Sequence, residues 1–162
     1  MVSRTHLAGV FDSLYSELAT SSRVALDDAV AVRLFVASRV MGDFALRARG
    51  GDLVPSDSLV RAALEHAREE DSSGVFTLYV FTMVLAPRLL VSLRDDLARR
   101  PDEATSALWA AASEAIIGQI SAMSRVMERR PATDSVTWAP AARSVVETLE
   151  SAGYSDHLGP RR

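Results

Sequence analysis

Apolar residues recur at steps of three and four along most of the chain, and no segment alternates strictly between apolar and polar positions. This period is that of an α-helix with one buried face. It predicts a first helix over residues 4–20. Its single stripe consists of Leu7, Val10, Phe11, Leu14, Tyr15 and Leu18.

A second helix is predicted over residues 25–49, and its apolar residues are not confined to one face. One stripe consists of Val30, Leu34, Ala37, Met41 and Phe44. Other faces carry Val32, Phe35, Val36 and Val40. We therefore expect this helix to be covered on more than one side. The pair Gly50-Gly51 is expected to end it.

The apolar run over residues 75–86 is the most ambiguous segment. Its Val, Phe, Tyr and Thr residues favour a strand by propensity, but no neighbouring segment could pair with a lone strand. The run therefore predicts a central helix wrapped by the others. Pro87 is expected to kink this helix or to start the next one, over residues 88–100.

Further helices are predicted over residues 55–71, 102–130 and 140–152, with a loop over residues 131–137. Together these elements predict an all-α fold, a single-domain helical bundle of six or seven helices around a central apolar helix. The bundle is expected to span residues 1–153. Residues 154–162 are expected to form a loosely ordered C-terminal tail.

Composition narrows the possible chemistry. Of the 162 residues 48% are hydrophobic, which is enough for a core, and the chain has no Cys, while all 18 basic residues are Arg. The absence of Cys excludes thiolate catalysis and thiolate metal sites, and the absence of Lys excludes Schiff bases. We expect no cofactor and no metal. The absence of Lys and Asn is typical of a GC-rich genome, which we expect to be bacterial.

The N-terminus has no apolar stretch of the kind that a signal peptide needs, so we expect a cytoplasmic protein. Residues 75–93 approach the length of a membrane span, but Pro87 and Arg88 interrupt them, and we expect no membrane contact. The net charge of −3 gives no general attraction to nucleic acid, and we expect none as a partner.

The predicted helix over residues 102–130 has two apolar faces. The bulky face contains Trp109, Ala112, Ile116, Ile120, Met123 and Met127. The second face, which we call the small-residue face, consists of Ala107, Ala111, Ala115, Gly118 and Ala122. Small side chains let another helix approach closely, so this face predicts a homodimer interface. Internal packing and simple exposure of an Ala-rich helix are the alternatives.

Other polar groups suggest weaker possibilities. Thr77, Tyr79, Thr82 and Arg88 could line a ligand pocket in or beside the central helix. The spacing of His66 and Glu69 could hold a metal, although it fits a solvated helix face better. The sequence thus predicts a non-catalytic protein-interaction module, homodimeric and binding a partner protein. The alternative is a small-molecule sensor or small helical enzyme with a pocket near Tyr79 and Arg88.

Overall fold

The computed structural model describes residues 4–130 and 132–159, except for the side chains of residues 132–137 and 139. All regular elements in these ranges are helical, which confirms the predicted all-α bundle. The helices are α1 (Arg4–Val24), α2 (Asp28–Arg49), α3 (Ser58–Glu70), α4 (Val75–Ala98), α5 (Glu103–Glu128) and α6 (Ala132–Ser151).

Three of the helices begin at an aspartate that caps the free backbone N–H groups of the first turn. Asp27 accepts two such hydrogen bonds at the start of α2, and Asp57 does so at the start of α3. Asp102 accepts from the N–H of Thr105 at 2.9 Å. That backbone donor, together with the Thr105 hydroxyl, lowers the pKa of the Asp102 carboxyl below its ordinary value. The start of each of these three helices is therefore set by a residue next to its own first turn.

Helix α4 is the central apolar helix that the sequence predicted. Phe76, Leu78, Val80, Phe81 and Leu85 have no exposed surface. By length and composition alone α4 could cross a membrane, and 67% of its most apolar window is buried inside the protein. Its apolar residues supply the core of the bundle, against α3 on one side and α5 on another.

Helix α4 continues through Pro87 to Ala98, so Pro87 does not end it. It is π-helical from Val80 to Leu85, and the N–H of Ala86 donates to the carbonyl of Phe81, five residues earlier. Proline lacks an N–H, and in an α-helix its ring crowds the carbonyl four residues earlier, which is that of Met83. The wider π turn just before Pro87 accommodates this residue without ending the helix.

The C-terminal part departs from the prediction in two places. Helix α6 begins at Ala132 and contains Pro140, so the predicted loop over residues 132–137 is wrong. The remaining loop residue, Pro131, lies outside the described residues. The polar residues Thr133, Asp134 and Ser135 suit a loop and a first helical turn equally well, and composition alone could not distinguish the two.

Residues 154–159 lack regular secondary structure but are packed on the bundle, unlike the loosely ordered tail that the sequence predicted. Tyr154, His157 and Leu158 are buried. The Ser92 hydroxyl donates to the carbonyl of Leu158 at 3.1 Å and accepts from its N–H at 2.8 Å. Residues 160–162 lie outside the described residues.

Candidate interaction surface

The bulky face of α5 is its buried face. Trp109, Ala112, Ile116 and Met123 have no exposed surface. The indole N–H of Trp109 donates to Asp96 at 2.6 Å, which ties α5 to the end of α4. Because this polar contact is buried, it fixes the rotation of α5 as well as its distance from α4.

The small-residue face of α5 divides between internal packing and solvent. Ala111 and Ala115 are half-buried against the core, and Ala122 is half-buried. Ala107 and Gly118 are exposed, and a Cβ atom built on Gly118 would meet no heavy atom within 4 Å. Part of the face is therefore used inside the chain, and the part around Gly118 is open.

Helices α2 and α5 are antiparallel neighbours whose ends are joined by arginines. At one end Arg4 donates to the carbonyl of Ala48 and to the hydroxyl of Thr105, both at 2.9 Å. At the other end Arg130 donates to Asp27 at 2.7 Å, which is also the cap of α2. These contacts hold the two helices side by side.

Helix α2 is covered by α1 on one side and by α5 on another, as the sequence predicted, but its outer side is open. Val32, Phe35 and Leu46 are 56%, 53% and 56% exposed. Their spacing places them on one side of the helix, with Arg39 and Asp43 between them. We call these five residues the outer face of α2. No other described element covers this face.

A groove of about 320 Å³ lies beside this face, between α1 and α2. It is lined by Asp12, Tyr15, Arg39, Gly42, Asp43, Ala45, Leu46 and Arg49. The ring of Tyr15 lies directly over Gly42, where a Cβ atom would approach it to 2.7 Å. Glycine at this position thus lets an aromatic ring form one wall of the groove.

The two threonines predicted for a ligand pocket are fully enclosed. Thr82 donates to the sulfur of Met123 at 3.4 Å. The Thr77 hydroxyl has no hydrogen-bond partner among the described residues. Neither threonine lines any of the three cavities described here.

Tyr79 and Arg88, the other two predicted pocket residues, serve separate contacts. The ring of Tyr79 packs against that of Trp138 of α6 at an angle of 49°, with ring centroids 6.4 Å apart. Arg88 donates to the carbonyl of Val84 at 3.0 Å and to that of Tyr154 at 3.3 Å. Tyr79 therefore contacts α6, and Arg88 contacts the C-terminal segment that follows it.

His66, the residue considered for a metal, lies on the surface of α3. Its Nε2 atom is 3.8 Å from a carboxylate oxygen of Glu70, one turn further along the helix. Among the described residues, no three His, Asp or Glu side chains form a group that could hold a metal ion. His66 also lines a shallow groove of about 240 Å³ between α3 and α6.

The sequence did not predict a buried polar cluster of His6, Asp57 and Tyr154. The Tyr154 hydroxyl donates to Oδ2 of Asp57 at 2.7 Å, and Nε2 of His6 lies 3.6 Å from the same oxygen. Burial, and then the Asp57 carboxylate, raise the pKa of Tyr154 well above its ordinary value. The tyrosine is thus held as a neutral hydrogen-bond donor.

This cluster anchors three elements to one another, because His6 belongs to α1, Asp57 caps α3 and Tyr154 follows α6. A cavity of about 300 Å³ opens beside it. A general base at neutral pH needs a pKa near 7, and a tyrosine whose pKa is raised does not provide one. Asp57 and Tyr154 are 97 positions apart in the chain, so no local sequence signal could reveal their pairing.

Comparison of the chain with protein families, with curated proteins and with solved structures finds no match.

Proposed function

We propose that this chain acts by binding, as a non-catalytic helical module that pairs with a second copy of itself and binds a partner protein. The observation that carries the proposal is the outer face of α2, where Val32, Phe35 and Leu46 are each more than half exposed. The same chain buries most of its other large apolar side chains completely. Because these three side chains lie on one side of the helix, we interpret that side as a contact surface.

The small-residue face of α5 supports the second part of the proposal. Gly118 and Ala107 leave the helix backbone accessible, and no described atom occupies the space above Gly118. Another helix could approach closely there with little loss of side-chain entropy. The sequence predicted a homodimer interface on this face. Because the large exposed apolar side chains lie on the outer face of α2, we assign self-pairing to α2 and the small-residue face to a helix of a partner protein.

The experiment that tests self-association is the molar mass in solution, measured by light scattering after size exclusion at concentrations from 1 to 100 micromolar. We expect the mass of two chains, about 35 kDa from the 17.5 kDa chain. A monomer throughout this range would contradict the proposed pairing.

The α5 assignment is tested with Gly118→Leu, which fills the open space without a clash inside the chain. Once a partner has been identified, this variant should weaken its binding at least tenfold. The matched control is Ala110→Leu, an exposed residue of the same helix that lies outside the small-residue face. Equal binding by the two variants would contradict the assignment.

A further inference from the structure

The outer face of α2 has a charge pattern that is complementary to itself. Arg39 and Asp43 lie one turn apart on this face, with apolar residues beyond each of them. Arg39 forms no ion pair with any of the described residues, and Asp43 has only an exposed pairing with Arg47 at 3.4 Å. Both charges are therefore available to another surface.

A two-fold arrangement satisfies both charges at once. If two copies of α2 run antiparallel about an axis level with Met41, Arg39 of each copy lies opposite Asp43 of the other. The same register sets Leu46 opposite Val36 of the second copy. Closed dimers require such a self-complementary surface, and a surface for an unrelated protein has no need of it.

The groove beside Tyr15 provides a place for Phe35. Its volume is about 320 Å³, and Tyr15 and Leu46 supply apolar walls among charged lining residues. The chain's own Phe35 cannot fill it, because Phe35 and Leu46 are about 16 Å apart along the helix. In the antiparallel register, Phe35 of the second copy lies level with Arg47, at the end of the groove that Leu46 lines.

We infer that a second copy of this chain docks on the outer face of α2 in this antiparallel register, with Phe35 of each copy in the groove of the other between Tyr15 and Leu46. The inference rests on the proposed function, since it names the surface through which the module pairs with itself. A single two-fold contact closes the dimer and leaves the small-residue face of α5 free for the partner protein.

The test compares the dissociation constant of the dimer between the native chain and designed variants, by sedimentation equilibrium. Phe35→Ser should weaken the dimer at least tenfold, and its fold should persist because Phe35 is 53% exposed. Arg39→Asp and Asp43→Arg should each weaken it roughly tenfold, since each sets like charges opposite one another twice per dimer. The double variant Arg39→Asp/Asp43→Arg should restore most of the affinity, which only direct pairing explains.

The controls separate this inference from the proposed function. Gly118→Leu should leave the dimer intact, and circular dichroism should show native helix content in every variant. A dimer that Gly118→Leu splits and the α2 variants do not would overturn the inference while the proposed self-association stands. A native chain that remains monomeric would overturn both.

Discussion

The contact between Tyr154 and Asp57 gives a sharp test of how the C-terminal segment is held. Tyr154→Phe keeps the aromatic ring and removes only the hydroxyl, which donates to Asp57 at 2.7 Å. The Asp57 side chain is only 3% exposed, and its other oxygen caps the first turn of α3. The substitution therefore leaves a buried carboxylate oxygen without its shortest hydrogen bond.

The expected cost follows from this geometry. A hydrogen bond to a charged group contributes about 1.5–3 kcal/mol to stability. His6 remains 3.6 Å from the same oxygen and compensates in part, so we expect a loss of about 2 kcal/mol. For a chain of this length that loss corresponds to a decrease of about 4–8 °C in the midpoint of thermal unfolding.

Urea unfolding followed by circular dichroism measures the change in free energy. Tyr79→Phe is the matched control, because no described hydrogen bond involves the Tyr79 hydroxyl and the ring contact with Trp138 is kept. The control should change stability by less than about 0.5 kcal/mol. If the two variants lose the same amount, the Tyr154 hydroxyl does not hold the segment in this way.

The same contact predicts a dependence on pH. The pKa of Tyr154 in the folded chain lies well above the value of 10.0 for a free tyrosine, because of burial and the Asp57 carboxylate. The folded state thus favours the protonated hydroxyl, and this stabilisation is complete below pH 10 and declines above it. The difference in stability between the native chain and Tyr154→Phe should be constant from pH 7 to 9 and shrink above pH 10. A difference that grows with alkaline pH would refute the reasoning.

The remaining predictions concern two glycines and one buried ion pair. Gly9→Ala should destabilise the chain by about 2 kcal/mol, because its Cβ would lie 2.2 Å from the carbonyl oxygen of Pro55. Gly118→Ala is also inside a helix but in open space, and it should stabilise the chain by about 1 kcal/mol. Thermal unfolding measures both glycine variants, and midpoint shifts of the same sign would contradict the difference in packing between Gly9 and Gly118. Glu17→Ala should cost about 2 kcal/mol in urea unfolding, since it removes the buried partner of Arg68 at 2.7 Å. That loss should change little between 0.1 and 0.5 M NaCl, because the Glu17 side chain is only 6% exposed.

The fold could be predicted from the sequence because its signals are local. The apolar period of three and four identifies a helix without reference to any other segment. The aspartate caps also act within one turn, as Asp57 shows at the start of α3. The burial of α4 follows from its composition, since an apolar helix in water needs cover from the rest of the chain.

The candidate surfaces could be predicted only in part, because exposure depends on where a neighbouring helix lies. Phe35 and Phe44 belong to the same helix, yet Phe35 is half exposed and Phe44 is buried beside Phe11. Periodicity places them on different faces, but it does not say which face another element covers. The prediction that α2 is covered on more than one side is correct for α1 and α5, but it did not identify the face that stays open.

The small-residue face of α5 shows that one helix face can serve both for packing inside the chain and for contact with another chain. Alanine and glycine allow another helix to approach closely wherever they lie. The amino-acid composition of such a face therefore does not distinguish internal packing from an interface with another chain. Arg4 and Arg130 fix the spacing of α2 and α5 at both ends. Ala111, in this pair of joined helices, is half-buried against the core, whereas a Cβ atom built on Gly118 would meet no other part of the described structure within 4 Å. The buried hydrogen bond from Trp109 to Asp96 fixes the rotation of α5, so a helix that binds the open remainder of this face must fit a backbone that these contacts together hold in place.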